Sequence, residues 1–146
     1  MSTAVESLLT LKRWREDEAK DAFALALKEL AVEEDRLVGL EDALRVVERE
    51  FKRYSEHDTD IETIKRALEY QTGVLRQIES QRLLIQQKQE FVEKARLELV
   101  EATREKRIFE RLLERQKEAE AKELLKREQI QSDESASIRF TYGAEE

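Results

Sequence analysis

His57 is the only histidine of the chain, and Asp58 and Asp60 stand beside it. These are side-chain types that bind a cation when a fold gathers them. Here they share one short polar stretch, with no second histidine and no cysteine in reach. A solvated turn is the simpler account, and a metal site would need further carboxylates. Glutamates are plentiful and carboxyls can act as general acids or bases. That work needs a cleft to move the pKa from its ordinary value, and a solvated helix has none. No glycine-rich phosphate loop, nucleophile elbow or paired metal-ligand motif occurs in the sequence. The lack of cysteine excludes disulfide and thiolate chemistry. No catalytic residue, cofactor or metal is expected, and the expected work is that of binding surfaces.

Those surfaces must sit on an unusual scaffold. The chain has 146 residues, is 42% charged and only 6% aromatic, and contains no proline. Such a chain is too polar for an ordinary globular core and too regular for disorder. Apolar residues fall at Leu30, Leu37, Leu40, Leu44, Val47, Phe51 and Tyr54, alternately three and four apart after the first step. A second column holds Ile64, Ile78, Ile85, Val92, Leu99 and Leu113, with Gln71 and Lys106 filling its gaps. This seven-residue period marks helices that bury a narrow seam against each other. The net charge of −7 argues against general binding to nucleic acid or anionic membranes. Residues 1–10 show neither a signal peptide nor a membrane span, so a cytoplasmic protein is expected.

The pattern predicts an all-α fold, a long antiparallel two-helix coiled-coil hairpin. Thr3 and Glu6 have capping-box spacing and open the first helix, over about 3–54. The polar run 55–60 makes the turn. Thr59 and Glu62 repeat the capping spacing, and the second helix covers about 60–133. At ~1.5 Å per residue it would be roughly 110 Å long. Folding about the turn opposes positions whose numbers add to about 115, which pairs Phe51 with Ile64, Val47 with Leu68 and Leu40 with Leu75. Gly39 and Gly73 then come to one height, as a bend, a close approach or two tolerated glycines. From Arg111 the second helix overhangs the first, and residues 135–146 form a mobile tail. Residues 1–134 thus make one hairpin.

Three surface features stand out. The second helix is more apolar than a seam requires, since Tyr70, Val74, Leu84 and Phe91 form another column. This is either a third surface for a partner or a stripe widening as the helix drifts against the heptad. Trp14, the one tryptophan, either packs over the seam or anchors a partner. Lys12, Arg13 and Arg15 make its surroundings basic, whereas the stretch from Glu29 to Glu62 is acidic. A rod with two unlike ends suits two unlike partners.

The run 102–112, Ala-Thr-Arg-Glu-Lys-Arg-Ile-Phe-Glu-Arg-Leu, resembles the flagellar FliJ family, and more distantly the stalk proteins of type III secretion systems. So do the run 126–134, Lys-Arg-Glu-Gln-Ile-Gln-Ser-Asp-Glu, the pair Tyr70-Gln71 and the step from Leu75 to Ile78. Ile108-Phe109 replaces the family's usual leucine and Ile130 a typical lysine, which leaves flagellar and virulence-type partners both open. The resemblance implies an antiparallel hairpin similar to the gamma stalk of rotary ATP synthases. It implies a non-enzymatic central stalk that binds and stimulates a hexameric export ATPase and links it to the cytoplasmic part of a membrane export gate. In that picture Arg13, Trp14, Arg111, Arg115 and Arg127 meet the ATPase. Phe51, Tyr54, Tyr70, Val74, Leu84 and Phe91 meet the gate. The protein would be cytoplasmic, peripherally associated with the inner-membrane export apparatus. Export chaperones are further candidate partners; nucleic acid and direct membrane insertion are not expected. An export chaperone-escort, a homodimeric scaffold and an enzyme subunit active only within a complex remain as alternatives.

Overall fold

The computed structural model describes residues 2–144, and side chains from residue 4 on. The expected capping contact of Thr3 lies outside the described side chains. Two helices account for the described chain except four residues: α1 spans Ser2–Glu56 and α2 spans Ile61–Ala144. Nothing interrupts α1 because it contains no proline and its one glycine, Gly39, adopts ordinary helical backbone. At its end the Ser55 hydroxyl donates to the Lys52 carbonyl at 2.8 Å. Asp60 caps α2, accepting from the Glu62 N–H through Oδ1 at 3.4 Å. The expected cap was Thr59, but its hydroxyl donates back to the His57 carbonyl at 3.3 Å and closes the turn instead. α2 also outruns the sequence expectation. Residues 135–144, expected as tail, continue the helix, and the Thr141 hydroxyl bonds the Ser137 carbonyl at 2.9 Å. Residues 145 and 146 lie outside the described part.

The chain forms two compact units. One, the turn unit, is Asp17–Val100. Its protected positions on α1 are Ala19, Phe23, Ala26, Leu30, Glu33, Leu37, Leu40, Leu44, Val47, Phe51 and Tyr54. They alternate four and three apart without a break save for Glu41 and Ala43, also half-buried. On α2 they are Ile64, Ala67, Gln71, Val74, Ile78, Gln81, Leu84, Ile85, Lys88, Val92, Ala95 and Leu99. Val47, Val74, Ile78, Ile85 and Ala95 are buried among them. Contacts across the seam join Glu33 to Gln81 and Glu29 to Lys88, a lower number on α1 meeting a higher one on α2. They are consistent with a coiled-coil hairpin. Gly39 and Gly73 make no close approach, since a Cβ on either would meet nothing within 4 Å.

The other, the terminal unit, comprises the segments up to Glu16 and from Glu101 on. Val5, Leu9, Lys12 and Glu16 supply its protected positions on α1. Ala102, Glu105, Lys106, Phe109, Leu113 and Gln116 are among those on α2. From Lys117 to Ala144 every side chain is exposed.

Candidate partner-binding surfaces

Polar groups occupy seam positions in both units. In the terminal unit, Lys12 Nζ donates to Glu105 Oε2 at 2.8 Å and lies 5.5 Å from the centre of the Phe109 ring. Lys106 Nζ donates to Glu16 Oε1 at 3.0 Å, and Glu16 is only 4% exposed. A carboxylate can be buried there because the ammonium is brought to it across the seam. The hydrogen bond from Lys12, reinforced by its charge, holds the Glu105 carboxyl below its ordinary pKa against a smaller desolvation effect. In the turn unit, Glu33 is 8% exposed and takes two donors. Gln81 Nε2 reaches its carboxylate at 2.7 Å and its backbone carbonyl at 2.9 Å, and Arg36 reaches the carboxylate at 3.0 Å.

Among the described residues no group of three His, Cys, Asp or Glu side chains is placed to hold a metal ion. His57 is exposed and lines a shallow hollow with Glu50, Arg53, Tyr54 and Thr59. Among the described residues no helix is long and apolar enough to cross a membrane.

The residues expected to meet an ATPase all fall in the terminal unit, and all are exposed. Trp14 is 65% exposed, so the indole is not packed over the seam. Arg127 pairs with Glu123 at 2.9 Å, one turn away on α2. The residues expected to meet a gate all fall in the turn unit but are not equivalent. Phe51 and Tyr54 are half-buried and pack edge to face, with ring centroids 6.4 Å apart. Tyr70 and Phe91 are exposed, and Lys88 Nζ lies 6.0 Å from the Phe91 ring centre. Leu84 is half-buried at the rim of a groove. Val74 does not belong with them as a surface residue: at 4% exposure it is part of the core. Its seam column runs on through Gln81, Lys88 and Ala95, whose types conceal a core column from a search for apolar residues.

A family model described as the flagellar FliJ protein matches residues 1–145. The chain belongs to the flagellar FliJ family. Membership implies a role related to flagellar type III export, and the family is not known as one of enzymes. No curated protein and no solved structure shows a significant match to the chain.

Proposed function

We propose that this FliJ-family protein is the non-enzymatic central stalk of the flagellar type III export apparatus. In this reading it is an antiparallel coiled-coil hairpin with an overhanging C-terminal helix. It binds and stimulates the hexameric export ATPase and links it to the cytoplasmic part of the membrane export gate, at the periphery of the inner membrane. The observation that carries the reading is the family match over residues 1–145. The distribution of exposed side chains supports its division of labour. Trp14, Arg13, Arg111, Arg115 and Arg127 are exposed in the terminal unit and would engage the ATPase. Tyr70, Leu84, Phe91, Phe51 and Tyr54, all in the turn unit, would engage the gate. An indole and a phenyl ring held in water are the side chains that gain most from a partner's apolar pocket.

The test is ATP hydrolysis by the cognate export ATPase with and without substoichiometric chain. Stimulation at about one stalk per hexamer is expected, an estimate that treats the stalk as a single occupant of a closed ring. Unchanged hydrolysis with a competent ATPase would sink the stalk reading. A second reading, an escort for export chaperones, is favoured by Leu124, Leu125, Ile130, Ile138, Phe140 and Tyr142, all exposed on α2. It requires binding to chaperone–substrate complexes without any change in ATP turnover.

A further inference from the structure

The terminal unit holds its two helical segments together differently from the turn unit. Among the described residues its only buried apolar side chain is Leu9, whereas the turn unit buries Val47, Val74, Ile78, Ile85 and Ala95. Charge stands where further apolar layers would be. Lys12 and Glu16 lie one turn apart at protected positions of α1, and Glu105 and Lys106 are neighbours at protected positions of α2. Ion pairs join them crosswise, Lys12 to Glu105 at 2.8 Å and Lys106 to Glu16 at 3.0 Å. The side chains of Lys12 and Glu16 are only 14% and 6% exposed. At such shielded positions a like-charge or missing partner costs far more than on an open surface.

The signs are arranged so that one register satisfies them. Sliding α1 along α2 by one turn, about 5.4 Å, brings Glu16 to the place of Lys12, against Glu105. The opposite slide brings Lys12 to the place of Glu16, against Lys106. Either slip sets like charge on like charge. A second copy meets the same obstacle, since two α1 helices paired in parallel and in register would oppose Lys12 to Lys12 and Glu16 to Glu16. A layer of leucines makes no such distinction. With Leu9 as its one buried apolar side chain, the segment of α1 up to Glu16 has little else to hold it to α2. A helical segment of about 12–15 residues is marginal in water without packing, so once released it frays.

We propose that Lys12, Glu16, Glu105 and Lys106 form a charge-coded clasp. Their crossed pairs choose the register of the terminal unit. Breaking them releases the segment of α1 up to Glu16 while the turn unit keeps its own core. The segment that carries Trp14 is thereby a part of the molecule able to open by itself. The clasp is a property of the packing and does not depend on the stalk reading.

Amide hydrogen exchange of the full-length chain, resolved peptide by peptide, tests it. Glu16→Lys sets two lysines together and is expected to speed exchange over residues 4–16 by about tenfold or more. Glu16→Lys/Lys106→Glu inverts the pair and is expected to return to within about threefold of wild type. Residues 74–85 of the turn unit are expected to exchange as in wild type in both variants. Spin labels on Glu6 and Glu114, both exposed, report the register. One narrow distance is expected in wild type and in the double variant, and a broad one in Glu16→Lys. If Glu16→Lys leaves residues 4–16 protected and the distance narrow, the pairs hold nothing and the clasp is wrong. If the double variant exchanges as fast as the single one, shape rather than charge sets the contact and the code is overturned. Loss of protection over residues 74–85 together with residues 4–16 would mean that the two helices part as a whole, which overturns separate opening.

Discussion

Glu33 and Glu16 show that a seam position need not be apolar if the facing helix supplies the partner. A buried carboxylate is costly alone, and each of these two has donors within 3.0 Å. The energetic consequence is asymmetric. Glu33→Ala takes the carboxylate from Gln81 and Arg36, leaving the Gln81 amide only the backbone carbonyl of residue 33, and is expected to cost about 1 kcal/mol. Glu33→Leu with Gln81→Leu removes both polar groups and is expected to be neutral or stabilising, at the expense of register. Thermal melts followed by circular dichroism check the ordering; a double variant less stable than the single one contradicts it. Glu105 makes a prediction about pH. Its pKa is lowered in the folded chain by the bond from Lys12. The stabilisation it gives is therefore complete above the ordinary carboxylate pKa and is lost as pH falls through the lowered folded value. Glu105→Gln is expected to melt below wild type at neutral pH and to converge with it in acid. A difference in melting temperature that persists in acid would assign the effect to packing.

At the scale of the elements, the two glycines of the seam region are the simplest handle. Gly39 and Gly73 sit in helix interiors with ordinary backbone, and a methyl group on either enters open space. Gly39→Ala and Gly73→Ala should each stabilise the chain by up to about 1 kcal/mol, since glycine is the poorer helix former. Chemical denaturation measures this, and destabilisation by either would reveal an approach by another segment. The same elements show what the sequence makes legible. The seven-residue period and the polar turn near His57 place α1, α2 and the break between them within a few residues. The far end of α2 is not legible: residues 135–142 lose the heptad but contain no breaker, and Gly143 arrives only at the helix terminus. Periodicity alone could not put Val74 in the core, because the residues that follow it in its column are Gln81 and Lys88. Of the surface residues, the exposed Trp14, Tyr70 and Phe91 could be singled out from type alone. Their grouping needed the fold, since Leu25 lines the same hollow as Phe91 only once α1 is packed on α2.

For the molecule as a whole, the central question is whether its two proposed contacts are separable. The residues assigned to the ATPase and those assigned to the gate lie in different compact units. Trp14 and Arg127 are exposed, so their replacement removes contact surface without opening a core. The double variant Trp14→Ala/Arg127→Ala should therefore keep wild-type helicity and gate binding while losing most of the ATPase stimulation. An exposed aromatic anchor that seats in a partner's pocket contributes about 2 kcal/mol or more, which corresponds to roughly thirtyfold in affinity. Tyr70→Ser/Phe91→Ser should do the reverse, weakening gate binding by a similar factor and sparing stimulation. Helicity is the control for both, because Val74, Ile78 and Ile85 remain in place to hold the turn unit. If the Trp14 and Arg127 variant stimulates the ATPase fully, the assignment of the terminal unit is wrong. If each pair of substitutions abolishes both contacts at unchanged helicity, the surfaces are not independent. ATPase binding and gate binding would then be coupled through the helices rather than divided between the units.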